Sequence, residues 1–199
     1  MSTPNIAIID GGGANIASLQ FALARLGVNG QLTVDPDIIS AASHVILPGV
    51  GAAADSMSRL TAAGLIEFIP GLSQPVLGIC LGMQLLFTAS EEDDAPCLGV
   101  FPGKAHLFAA TAERAVPHMG WNQIQRTHDS DLLAGIPDGS HFYFVHSYAV
   151  DVTDDTLAVT EYGTPFTAIA ERANFSATQF HPERSGEFGA QLLKNFLAR

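Results

Sequence analysis

The run Pro75-Val76-Leu77-Gly78-Ile79-Cys80-Leu81-Gly82-Met83-Gln84-Leu85-Leu86-Phe87 decides the fold. Pro75 to Ile79 is short, apolar and closed by a glycine-flanked turn, the pattern of a strand buried on both faces. Met83 to Phe87 reads as helix. The same alternation recurs upstream. Asn5 to Ile9 is a β-branched apolar run ended by Asp10 and three glycines. Between Asn15 and Leu26, Ile16, Leu19, Leu23 and Leu26 recur at helical spacing, and Gly27 closes the segment. His44 to Leu47 is a further buried strand, stopped by Pro48-Gly49, and a helix follows through Asp55 to Ala63. Strands alternating with helices require crossover connections, and so a parallel sheet covered by helices on both faces.

Beyond Gly99 the texture changes. Turn residues become frequent, and His141 to Val150 reads as one long aromatic and β-branched strand. Val116 to Ile124 and Leu157 to Val159 are shorter extended pieces. Ala177 to Phe180 is the last strand, and Phe188 to Leu197 the closing helix. The expectation is one α/β domain over residues 1–199, with a mostly parallel central sheet and a more antiparallel C-terminal half.

The chain has 199 residues and a formal charge of -11, although only 15% of its residues are charged. Neither half carries a basic block, so binding to a nucleic-acid backbone has no electrostatic support. No run reaches the roughly 18 apolar residues of a membrane helix, and no export signal is visible, so no membrane association is expected. The two cysteines, Cys80 and Cys97, then read as free thiols in a reducing, cytoplasmic setting.

Gly78-Ile79-Cys80-Leu81-Gly82 has the glycine spacing of a nucleophile elbow, with cysteine in the nucleophile position. A strand-to-helix turn this tight strains its central residue, and flanking side chains would clash. The helix start presents backbone N–H groups and a partial positive charge that favour a thiolate. The Leu81 N–H is then placed to meet an oxyanion. The elbow favours the nucleophile; the alternative for Cys80 taken alone is a buried core thiol, the commonest fate of a free cysteine.

A thiol nucleophile needs a base. His181 follows a strand in Gln179-Phe180-His181-Pro182-Glu183, and Pro182 biases it towards extended geometry. In an extended chain, residues two apart project to one side, which places Glu183 beside the imidazole. Pro48-Gly49-Val50-Gly51 ends another strand, and its glycines let backbone N–H groups turn towards a ligand as further oxyanion donors. Asp10 to Gly13 carries neither a dinucleotide fingerprint nor a P-loop lysine. His118, His128, His141 and His146 lack companion ligands for a metal. Glu91 to Asp94 reads as a solvated acidic loop, unless one carboxylate meets a substrate ammonium group.

Together these segments resemble the class I, triad-type glutamine amidotransferases, and within them the glutaminase subunits of imidazole glycerol phosphate synthase. Leu77 to Phe87 and Gln179 to Ser185 carry the class motifs. Pro48 to Gly51, Pro117 to Asn122 and Phe142 to Tyr148 carry those of the narrower branch. The resemblance implies Cys80, His181 and Glu183 as the catalytic set acting on L-glutamine. It places Gly49, Val50 and Leu81 around the oxyanion, and Gln84 and Glu92 on the substrate. It implies no cofactor and no metal. It further implies a cyclase partner, a (β/α)8 barrel forming a heterodimer and receiving ammonia, with Asn15, Trp121 and Arg184 at the interface. Two positions depart from the pattern: Ala14 precedes Asn15 where glycine is usual, and Arg184 stands where lysine is common.

Overall fold

The computed structural model describes residues 4–12, 16–112 and 114–199. An eight-stranded sheet forms the centre. Its parallel part holds β1 (Ile6–Ile9), β2 (Gly30–Thr33), β3 (His44–Gly49), β4 (Val76–Cys80) and the late strand β13 (Phe175–Thr178), in the order β2-β1-β3-β4-β13. The sheet then continues antiparallel through β12 (Pro165–Arg172), β11 (Thr156–Glu161) and β8 (Gln125–Arg126). The mixed order is the one read from the sequence, parallel first and antiparallel later.

β1, β3 and β4 are buried along their whole length, and this explains why they read as continuous apolar runs. Their side chains alternate between two cores. Ile6, Ile8, Ile46 and Leu77 join one cluster with Leu19 and Leu23 of α1 (Ile16–Arg25) and with Leu192, Leu193 and Phe196 of α5 (Gly186–Phe196). Ala7, Ile9, Val45 and Val76 join the other. Its remaining members include Ile39 of α2 (Pro36–Ala41), Leu60 of α3 (Ala53–Ala62) and Leu85 of α4 (Leu81–Leu85). Each such large side chain contributes about 1.5–3 kcal/mol by leaving water. Cys80 belongs to the first cluster and Leu81 to the second.

Register decides where the chemistry collects. Gly49 lies opposite Cys80 across β3 and β4, and Thr178 lies opposite Ile79 across β13 and β4. The segments leaving β3, β4 and β13 therefore emerge together at the carboxyl edge of the sheet, where open α/β sheets bind ligands. Two smaller sheets flank this edge. One pairs β7 (His118–Gln123) with β9 (His141–His146); the other joins β5 (Ala89–Ser90), β6 (Lys104–Leu107) and β10 (Tyr148–Val150). Among the described residues no helix is long and apolar enough to cross a membrane.

Several elements differ from the sequence reading. His141 to Val150 is two strands, because β9 and β10 enter different sheets on either side of Ser147. The last strand is Phe175–Thr178, two residues earlier than expected, since its register is set by β4. The helix after the elbow begins at Leu81 rather than Met83 and leaves no linker behind Cys80. β2, α2, β6 and β12 have no counterpart in the reading.

Candidate active site

Cys80 ends β4 and caps α4 with φ 55° and ψ -111°, a conformation an L side chain rarely adopts. The turn closes only because both flanking positions are glycine. A Cβ on Gly78 would lie 2.8 Å from the Gly82 carbonyl oxygen, and one on Gly82 would run into the Leu47 carbonyl oxygen. The Cys80 side chain is buried, its Sγ 3.7 Å from the Val145 carbonyl and 3.9 Å from Gln179 Nε2.

His181 leaves the end of β13 and is tied there by its N–H, which donates to the Tyr143 carbonyl at 3.0 Å. Its Nδ1 lies 2.8 Å from Glu183 Oε1, with both side chains almost fully buried. The carboxylate accepts, so Nδ1 carries the proton and Nε2, which has no hydrogen-bond partner, is the nitrogen left for chemistry. Burial opposes a charge on this ring. The Cys80 sulfur, as a thiolate, and the Glu183 carboxylate outweigh burial and push the His181 pKa up to about 10. The pairing with Glu183 is the expected one, but its backbone is different. Pro182–Arg184 is a 3₁₀ turn rather than extended chain, and it brings the carboxylate back under the ring. Ser185 locks that turn, its Oγ donating to the His181 carbonyl at 2.7 Å and accepting from the Tyr143 N–H at 3.0 Å.

Cys80 and His181 line one cavity of about 330 Å³ together with Val50, Leu81, Gln84 and Glu92. Gly49 lies outside it, in a small cleft behind His181, where a Cβ would sit 2.9 Å from the Gly82 nitrogen. Gln84 Nε2 donates to the Tyr148 carbonyl at 2.8 Å and to Gln179 Oε1 at 3.0 Å. Glu92 is not merely solvated, as a default acidic loop would be. Its Oε2 accepts from the Ala53 N–H at 2.7 Å, at the first turn of α3. The short turn behind it holds Asp93 and Asp94 at φ 56° and 49°.

Trp121 is 56% exposed and meets Tyr143 edge-on at 6.0 Å, while Arg184 stacks its guanidinium 4.3 Å above the same Tyr143 ring. Met119 projects from the same side of β7. Asn15 and Ala14 lie outside the described residues. Both cysteines are free thiols. Sequence reasoning missed Gln179, Tyr148 and the contact between His118 and His146. The alternation of β7, with His118 inward and Met119 outward, was the available signal for that contact.

A cysteine on a strained strand-to-helix turn, with a buried histidine–carboxylate pair across a small cavity, suits acyl transfer through a thioester. The profile of the family described as "Glutamine amidotransferase class-I" matches residues 7–199. The chain belongs to this family. Other members are similar along nearly its whole length. An "Imidazole glycerol phosphate synthase subunit HisH" of Xanthomonas axonopodis pv. citri is 51% identical over 193 residues, covering 97% of this chain and 96% of the relative. The HisH subunit of Xylella fastidiosa strain Temecula1 is 50% identical, covering 96% of each chain, and HisH 2 of Legionella pneumophila is 51% identical, covering 97% of each. Two solved structures share the glutamine amidotransferase fold at low identity. One, a GMP synthase protein of Thermoplasma acidophilum, has a TM-score of 0.76 at 20% identity, covering 100% of this chain and 94% of that one. The other, described as a glutamine amidotransferase, has a TM-score of 0.74 at 18% identity and covers 97% of both chains.

Proposed function

We propose that this chain, acting as one domain over residues 1–199, is the glutaminase subunit of an imidazole glycerol phosphate synthase in L-histidine biosynthesis. The buried Cys80–His181–Glu183 arrangement around one cavity carries the reading. With its proton already passed to His181 Nε2, Cys80 Sγ attacks the side-chain amide carbon of L-glutamine as a thiolate beside an imidazolium. The tetrahedral oxyanion meets the Leu81 N–H and backbone N–H groups of Gly49 and Val50. The C–N bond breaks, and the protonated imidazole returns its proton to the departing ammonia. Water then attacks the thioester, with His181 again accepting a proton, and glutamate leaves. Glu183 holds the imidazole in one tautomer and stabilises its charged form. Gln84 borders the bound glutamine, and the Glu92 carboxylate faces its ammonium group. A cavity of about 330 Å³ is of the right order for one amino acid.

The ammonia passes to a cyclase partner, folded as a (β/α)8 barrel and docked over Trp121 and Arg184 with Asn15 nearby. The exposed Met119–Trp121 side of β7 and the Tyr143–Arg184 stack support this location. The test is glutamate formation measured with and without purified cyclase and its nucleotide ligand. Weak turnover alone and a large rise in the complex are expected. Fast turnover independent of the cyclase overturns the coupled reading.

A further inference from the structure

Between β7 and β9 lies a polar chain in an aromatic setting. His118 and His146 are both buried, with His118 stacked on Tyr162 at 4.1 Å and on Phe144 at 5.1 Å. Phe108 and Phe166 close the other sides. Polar atoms placed here cost free energy unless every one is partnered, and an apolar pair would fill the space more simply.

Every polar atom of the pair is partnered, and the partners fix the direction. The Tyr148 carbonyl, 2.8 Å from His146 Nδ1, can only accept, so Nδ1 carries the ring proton. His146 Nε2 must then accept, and its donor is His118 Nδ1 at 3.2 Å. That leaves His118 Nε2 to accept from Asn122 Nδ2 at 3.3 Å. The second Asn122 amide hydrogen goes to the Glu161 carbonyl at 3.0 Å, and its oxygen accepts from the Gln123 N–H at 2.8 Å. Both imidazoles are therefore neutral and both hold the Nδ1–H tautomer. Burial acts in the same sense, pushing the pKa of His118 down to about 4 and that of His146 to about 3.

The chain does not stop at Tyr148. The same carbonyl takes a second hydrogen bond from Gln84 Nε2, which also reaches Gln179 Oε1. Gln179 Nε2 in turn lies 3.9 Å from Cys80 Sγ. We propose that His118 and His146 are positioning residues, whose one-way hydrogen-bond chain from Asn122 fixes the Tyr148 carbonyl and, through Gln84 and Gln179, the wall of the glutamine cavity beside Cys80. The proposal rests on the glutaminase reading given above.

His146 itself lines the cavity with Cys80, whereas His118 stands outside it. Two substitutions at position 118 therefore separate positioning from packing, because the two roles predict opposite orders. His118→Asn keeps a donor near the Nδ1 position and discards the ring; His118→Phe keeps a ring and discards the donor to His146. Both are compared in the complex with the cyclase, by the KM for glutamine and by the alkylation rate of Cys80 with a chloroketone analogue of glutamine. Iodoacetamide, which needs no positioning, serves as control. His118→Phe is expected to raise KM and slow the analogue about tenfold, as one unmet buried hydrogen bond implies, while iodoacetamide labelling stays within about twofold. His118→Asn is expected to recover most of the loss. Phe performing as well as Asn, or better, overturns the proposal.

A wild-type complex that neither hydrolyses glutamine nor reacts with the analogue overturns the glutaminase reading itself. Nitrogen-15 NMR of the wild-type imidazoles at pH 7 tests the chain without any variant or substrate. Both rings are expected as neutral Nδ1–H tautomers, and an Nε2–H tautomer or a protonated ring at either position overturns the proposal.

Discussion

The Glu92 carboxylate holds the Ala53 backbone N–H at 2.7 Å across 39 residues of sequence, and the same side chain borders the candidate active-site cavity. Ala53 opens α3 two residues after Gly51, behind an Ala52 cap whose side chain makes no hydrogen bond, so one anion steadies a helix start and lines the cavity. Glu92→Gln preserves an acceptor for Ala53 while removing the charge. It is expected to raise the KM for glutamine about tenfold with little change in Tm, and to leave turnover of 4-carbamoylbutanoate, which lacks the ammonium group, near wild type. Glu92→Ala removes both functions and is expected to lose about 1 kcal/mol of stability as well. Equal behaviour of the two variants in thermal melts and in both assays would contradict this division.

The two thiols are expected to differ in reactivity. Burial pushes the Cys97 pKa up to about 11, which leaves it a thiol at neutral pH. Iodoacetamide at pH 7.5 should label Cys80 alone, as read by peptide mass spectrometry. Cys80→Ala should abolish glutamate formation, while synthesis from added ammonium salts by the complex persists. A parallel fall in the ammonium route would assign Cys80 a structural role.

Gly82 is expected to be the least replaceable glycine of the elbow. An added methyl would run into the Leu47 carbonyl oxygen, and β3 and β4 would have to separate. Gly82→Ala should cost about 3 kcal/mol or more, measured by denaturant unfolding. Gly71 faces open space, so Gly71→Ala should fall within about 1 kcal/mol of wild type. Similar losses at the two positions would show that close packing at the elbow is not the cause.

Three histidines set opposite pH limits. His118 and His146 have folded pKa values of about 4 and 3, below the ordinary 6.5. The unfolded chain therefore takes up protons first as pH falls below 6.5. Stability is expected to drop at up to about 1.4 kcal/mol per pH unit for each group until the folded pKa is reached. His181 is shifted the other way, to about 10, so its contribution is complete below pH 6.5 and is lost as pH rises through 10. Melting temperatures should be highest near pH 6.5 to 7, falling towards pH 5 and again as pH rises from 7 to 10. His118→Asn should flatten the acid limb and His181→Asn the alkaline one.

What the sequence made legible was local. Gly78 to Gly82 states its turn within five residues, and His181 and Glu183 are two apart, so spacing alone could find both. β1, β3 and β4 were readable because burial on both faces leaves no polar interruption. β2 was not, since it is an edge strand whose Gln31 and Leu32 stay exposed and whose pairing with β1 is backbone only. α2 carries its signal in its cap, an Asp35 side chain accepting from the Asp37 N–H with Pro36 at the first helical position, which apolar periodicity does not register. The bonds from Glu92 to Ala53 and from His118 to His146 span 39 and 28 residues. Alternation gives the face of His118 but not its partner, which the β7–β9 register supplies, and Glu92 meets Ala53 where the turn after β5 packs on the start of α3.

The step from Cys80 to Leu81 crosses from one hydrophobic cluster to the other within a single peptide bond. The reactive sulfur thus sits on a seam, and slack on either side of the sheet displaces it against His181. Enzymatic rate becomes a gauge of fit for two interiors at once. A methyl lost from the buried face of α5 or of α3, worth about 1 kcal/mol and a few degrees in a melting curve, is expected to register also in how fast the thioester forms.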